Sequence, residues 1–132
     1  MGRIYYMMGK SASGKDTLYK LLLNRMPELK KVVIHTTRPK REGEREGVEY
    51  FFDSQEALNA FREQGKIVEE RTYDTVMGPW TYFTVLDGQF DSGGRDILMI
   101  GTLESYGKMR EFFGGERMVP VYIQVDDGIR LE

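Results

Sequence analysis

The 132-residue sequence has no cysteine, one histidine, one tryptophan and four prolines. The lack of cysteine excludes a disulfide framework and thiolate metal sites, and it suits a reducing compartment, so a cytoplasmic location is expected. Long apolar runs are missing as well. Nothing approaches the roughly 20 residues that a helix needs to cross a bilayer, and the apolar start, Ile4 to Met8, is too short for a signal peptide. Tyr6 stands where a myristoylation signal takes Ser or Thr. No membrane partner is expected. Nor is there a strong excess of one charge: 19 Lys and Arg face 21 Asp and Glu, a net of −2. A duplex-binding surface is usually strongly basic, so no nucleic-acid partner is expected either. With 40% hydrophobic, 30% charged and 12% aromatic residues, the chain reads as one ordinary folded domain.

The charge is unevenly spread. Residues 1–66 carry 13 Lys and Arg against 9 Asp and Glu, and residues 67–132 carry 6 against 12. Six of the cations fall between Lys30 and Arg45, a density that suits a small polyanion.

Periodicity divides the chain into alternating strands and helices. Arg3 to Met8 reads as a buried strand, and Thr17 to Met26 as a helix with Leu18, Leu21 and Leu22 inward, stopped by Pro27. The β-branched run Val32-Val33-Ile34 predicts a second strand. Residues 37–49 are a charged, Gly-punctuated loop, and Tyr50 to Phe52 a short strand. Asp53 and Glu56 have capping-box spacing at the head of a helix that carries Ala57, Leu58 and Phe61 inward and ends at Gly65. Ile67 to Tyr73 and Tyr82 to Leu86 read as strands joined through Gly78-Pro79. Ile97 to Ile100 is a strand, Leu103 to Phe113 a helix closed by Gly114-Gly115, and Val119 to Val125 the last strand. Alternation of this kind predicts an α/β fold with a mainly parallel sheet flanked by helices. Asp126 or Asp127 begins a further helical turn at Ile129 to Leu131 that has no body, so the sequence reads as part of something longer.

Two motifs carry chemistry. Gly9-Lys10-Ser11-Ala12-Ser13-Gly14-Lys15-Asp16-Thr17 has the spacing of a P-loop between a strand and a helix. Glycines let successive backbone N–H groups converge on phosphate oxygens, the helix start adds its positive end, and Lys15 adds a point charge. The alternative is a Gly/Ser turn opening a surface helix. Asp16 stands where a hydroxyl normally binds Mg²⁺, with Thr17 next to it, so these two are the candidate Mg²⁺ ligands. The second motif runs from Thr36 to Glu44 and on through Gly47 to Tyr50. Arg38 and Arg41, three apart with a tyrosine nearby, suit a second phosphate, because Arg presents a planar fork to two oxygens; a solvated charged loop is the alternative. The lone His35 reads as structural, and Met7, Met8, Met99 and Met109 read as core residues. Trp80 is a loop anchor or a stacking surface.

Together the two motifs resemble the guanylate kinase family of P-loop nucleoside monophosphate kinases, whose pattern T-T-R-x-x-R-x-G-E followed by G-x-(D/E)-Y is matched at Thr36 to Glu44 and at Gly47 to Tyr50. The similarity extends to Ile67-Val68-Glu69 and spans essentially the whole chain. It implies a P-loop core, about 1–34 and 95–132, and a small mixed α/β NMP-binding subdomain, about 35–94, within one domain. It implies ATP-dependent phosphoryl transfer to GMP with Mg²⁺, giving GDP and ADP. ATP would sit on Gly9 to Thr17, and Lys15, Arg38 and Arg41 would be the catalytic cations. GMP would be held by Arg38, Arg41, Tyr50 and Tyr82 at its phosphate, and by Glu69 and Thr84 at its base.

Departures from the family pattern are also present. The serine before T-T-R is replaced at Ile34 or His35. The family's I-L-D-x-D strand is Ile97-Leu98-Met99-Ile100-Gly101 here, so both aspartates are missing; Asp16 and Glu104 are the candidate replacements. Met77-Gly78-Pro79-Trp80 replaces a Gly-Asn-Tyr-like turn. A family lid and last elements have no counterpart in the sequence, which predicts weak or absent turnover and self-association through an open sheet edge. The rival expectation is a binding module of the same fold, for nucleotide or protein partners, in which catalysis has been abandoned.

Overall fold

A computed structural model describes residues 2–9, 14–91 and 93–123. The chain divides into two compact units, residues 1–31 with 91–132, and residues 32–90. The expected helix start at residues 126–131 lies outside the described residues.

The first unit is a parallel α/β layer. Strand β1 (Ile4–Gly9) lies between β7 (Ile97–Ile100) and β8 (Met118–Ile123), with β2 (Lys30–Lys31) outside β7, giving the order β2-β7-β1-β8. All of these pairings are parallel. The apolar runs that make β1 and β7 are what a sheet covered on both faces requires. Ile4, Met7 and Ile97 are fully inaccessible, and the methionines Met8, Met99 and Met109 fill the same core. Helix α1 (Lys15–Arg25) follows β1, and α3 (Leu103–Phe113) follows β7. Thr102 caps α3 by accepting from the Ser105 amide while Ser105 reaches back, and Gly114 ends the helix at φ +92°. On α1 the expected inward stripe is only half covered: Leu18 and Leu22 are half-buried and Leu21 is exposed.

The second unit is a mixed sheet under one helix. Its strands are β3 (His35–Thr36), β4 (Phe51–Phe52), β5 (Ile67–Thr75) and β6 (Gly78–Val85), in the order β4-β3-β6-β5. Only β3 and β4 run parallel. Helix α2 (Gln55–Glu63) buries Leu58 against Phe83 and Val85, with Phe61 and Ile67 beside them. Full burial of a leucine side chain contributes about 1.5–3 kcal/mol. A fork from Arg62 to Glu70 ties α2 to β5.

Three expectations change. Val32 to Ile34 forms no strand; the strands lie on either side of it. The chain leaves one sheet after Lys31 and enters the other at His35, so no single ladder can take the run. The Gln89 side chain substitutes for a neighbouring strand, accepting from the Val33 N–H at 2.7 Å and donating to its carbonyl at 2.9 Å. The N-cap of α2 is Ser54, not Asp53: its hydroxyl accepts from the Ala57 amide. Asp53 instead pairs with His35 Nδ1 at 2.5 Å, because a histidine buried among Phe51, Phe61 and Phe83 needs a partner inside. Finally, β5 and β6 form a hairpin that turns at Val76-Met77, and Gly78-Pro79 lies within β6. Thr75 closes this turn, donating to the Gly78 carbonyl and accepting from the Met77 amide.

The loop at residues 37–49 lies between β3 and β4, tied at its ends by Thr37 to Thr81 and by Gly47 to Tyr50, with a part-buried ion pair inside it. Arg38, 3% exposed, donates from both terminal nitrogens to Glu44, at 3.0 and 2.8 Å. The Arg41 amide donates to the same carboxylate at 2.8 Å. The Arg38 guanidinium, with the Arg41 backbone, holds the Glu44 carboxyl down at about 2, from an ordinary 4.5. A carboxyl depressed in the folded state adds stability that is fully present above its unfolded value and lost as pH falls toward its folded one. Thermal unfolding followed from pH 5 to pH 2 should therefore show a steeper loss of stability for the natural chain than for Glu44→Gln. Parallel acid limbs would show that the pair does not hold the loop.

Candidate nucleotide-binding sites

In the first unit, β1 delivers Gly9 at the carboxyl end of the sheet, between the parallel strands β7 and β8, with helices following β1 and β7. This is where open α/β sheets place ligands. Lys10, Ser11, Ala12 and Ser13 lie outside the described residues. Gly14 then adopts φ +80°, ψ 15°, a left-handed step as the N-cap of α1 that a side chain disfavours, and it brings no side chain to cap the first amides. Lys15 opens the helix and folds back, its Nζ donating to the Gly9 carbonyl at 3.1 Å. Asp16 and Thr17 are exposed in the first turn. Lys15, Asp16 and Thr17 thus come together at the head of α1.

The strand beside β1 explains its missing carboxylates. Met99 is core, 2% exposed. The Gly101 amide donates to the Met7 carbonyl, and a Cβ at 101 would stand 2.1 Å from the Tyr6 hydroxyl. That hydroxyl is 2.6 Å from Ser105 Oγ, so the Tyr6 phenol joins the capping box of α3. A larger residue at 101 has no room while Tyr6 keeps this position. Glu104 is exposed on the first turn of α3. Among the described residues no cluster of three or more His, Asp or Glu side chains is built for a metal ion. Mg²⁺ tolerates so sparse a set: it is commonly held by one or two protein oxygens, with phosphate oxygens and water completing the octahedron. Asp16 and Thr17 fit that role.

In the second unit, the candidate acceptor residues share one face of the sheet, and register shows why. Residues directly opposite in a ladder point the same way. His35, Phe51, Phe83 and Val85 face α2, so Thr36, Phe52, Tyr82 and Thr84 face the other side. Ile67 pairs with Val85 but Glu69 with Thr84, so β5 carries one extra residue, Val68, as a bulge. Without it, Glu69 would share the α2 face with Ile67; with it, Glu69 stands beside Thr84, whose hydroxyl donates to Oε2 at 3.2 Å.

Arg38, Tyr50 and Tyr82 gather on the same face. The guanidinium lies 5.3 Å from the Tyr50 ring centre and 5.7 Å from that of Phe52, in cation–π range. Tyr50 and Tyr82 are 5.6 Å apart. The hydrogen bond to Glu44 raises the Arg38 pKa against the cost of burial, and Tyr82 adds to it. Burial raises the Tyr50 phenol, while Arg38 and Arg71 pull it down. Arg38 Nε is buried with no hydrogen-bond partner. Arg41 does not join the cluster through its side chain, which is exposed; its backbone does, through Glu44. One charged member of this face was missed in the motifs: Arg71, whose Nε donates to Glu69 Oε1 at 2.9 Å. An opposite charge two residues along the same strand was the available signal.

A guanylate kinase family model matches residues 1–80. A guanylate kinase of Parasynechococcus marenigrum (strain WH8102) is 35% identical over 124 residues, covering 90% of this chain and 64% of that protein. One from Coxiella burnetii (strain RSA 493 / Nine Mile phase I) is 31% identical over 111 residues, covering 83% and 52%. The crystal structure of guanylate kinase from Anaplasma phagocytophilum matches with a TM-score of 0.68 at 27% identity, over 92% of this chain and 59% of that one. The chain thus spans between half and two thirds of the length of these relatives. With the strand ending at Gly9, the helix that Lys15 opens, the Arg38 loop and the family match over most of its length, the chain belongs to the guanylate kinase family.

Proposed function

We propose that the chain binds ATP at Gly9 to Thr17 and GMP on the Glu69 face of the second unit, as a phosphotransferase that gives ADP and GDP. The observation that carries this is the bulge at Val68. It sets a wholly buried carboxylate beside Thr84, on the face that also presents Tyr50, Tyr82 and a guanidinium with an unmatched buried N–H. A phosphate oxygen satisfies such an N–H, and a carboxylate accepts from the N1–H and exocyclic amine of guanine. Adenine has no donor at N1 and would leave the carboxylate underused, a loss of about 1–3 kcal/mol.

Each group has a defined task. Arg38, Tyr50 and Tyr82 hold the acceptor phosphate, and Arg41 adds charge from the rim. Lys15 neutralises charge on the transferring phosphoryl group, and the amides at the head of α1 bind the phosphates. Phosphoryl transfer needs in-line positioning and charge neutralisation more than proton chemistry. Asp16 and Thr17 would hold Mg²⁺, which supplies further neutralisation when bound.

A second reading is favoured by one observation: the strand beside β1 presents Met99 and Gly101, with no carboxylate. In that reading the fold is a binding module without catalysis.

Titration calorimetry with ATP·Mg²⁺ and then with GMP separates the two, since heat from both ligands, together with ADP formation, supports the enzyme. Silence toward both leaves the binding module. Arg38→Ala should weaken GMP by about 1.5–3 kcal/mol, as for a lost hydrogen bond to a charged group; unchanged affinity would make the loop a solvated surface. GMP should bind more tightly than AMP, and Glu69→Gln should narrow that gap. Equal affinities for GMP and AMP in the natural chain would end the guanine assignment.

A further inference from the structure

Glu69 has no exposed side-chain surface, and burial of that degree favours the neutral form of a carboxyl group unless a cation stands against it. Arg71 is that cation. It lies two residues on, past the bulge, on the same face of β5, and its Nε meets Oε1 at 2.9 Å while Thr84 takes Oε2. Opposite it in register is Tyr82. The two hydrogen bonds reach different oxygens, so they fix the plane of the carboxylate as well as its charge. An ionised, oriented carboxylate accepts two adjacent N–H donors; a protonated one presents an O–H and rejects one of them.

We propose that Arg71 is a specificity-determining positioning residue: it holds Glu69 ionised and oriented with Thr84, so that selection of a base with two adjacent N–H donors depends on Arg71 acting through Glu69. This rests on the acceptor-site reading above and adds to it a residue outside the arginine loop.

The test is a double-mutant cycle read as the ratio of AMP to GMP dissociation constants, by calorimetry on the full chain. Arg71→Ala should lower that ratio by about tenfold, the scale of a hydrogen bond to a charged group. In the Glu69→Gln background the same change should move it less than twofold, because the group through which Arg71 acts is already neutral. Arg71→Lys should restore part of the preference. A purely structural role would instead weaken GMP and AMP equally. If Arg71→Ala melts below the assay temperature, Arg71→Gln carries the same comparison. A natural chain with no preference for GMP overturns the acceptor-site reading itself. A natural preference that survives Arg71→Ala unchanged, or falls equally in both backgrounds, overturns the role of Arg71 alone.

Discussion

A strand shows its side chains alternately to its two faces, so one extra residue decides which face everything beyond it occupies. In β5 that residue is Val68. Before it, Ile67 packs with Val85 toward α2; after it, Glu69 and Arg71 stand with Thr84 and Tyr82 on the opposite side. The apolar face that folds the unit and the polar face proposed to bind the acceptor are thereby kept on one short sheet without competing for positions. Glu70, on the α2 side, meets Arg62 of that helix, which shows the parity holding beyond the bulge.

The polar face is costly to build. It buries a carboxylate and a guanidinium, and each charge has a partner of its own: Arg71 and Thr84 for Glu69, Glu44 for Arg38. Breaking such pairs leaves an uncompensated charge inside, which is more destabilising than never having buried them. Arg38 therefore both folds its loop and presents a buried N–H without an acceptor.

The first unit solves a different problem. Its parallel sheet gathers the ends of β1 and β7 at one edge, with Gly14 giving the chain its left-handed step into α1. At that edge Tyr6, not a carboxylate, occupies the space above Gly101, hydrogen-bonded into the cap of α3. Negative charge near the head of α1 comes from Asp16, on the helix itself.

The sequence by itself determined most elements and the spacing of both candidate phosphate motifs. Those depend on local periodicity, on glycines and on spacing, which neighbouring residues carry without help. Ile97–Ile100 and Leu103–Phe113 lie where their patterns put them. Residues with two local options went by longer-range partners. Asp53 left the cap for His35, Val32 to Ile34 gave up a strand because the chain changes sheets there, and Glu69 gained Thr84 from the bulge. Register, the bulge and pairings such as His35 with Asp53 or Glu69 with Thr84 join groups far apart along the chain, and only the folded sheet brings them within hydrogen-bonding distance.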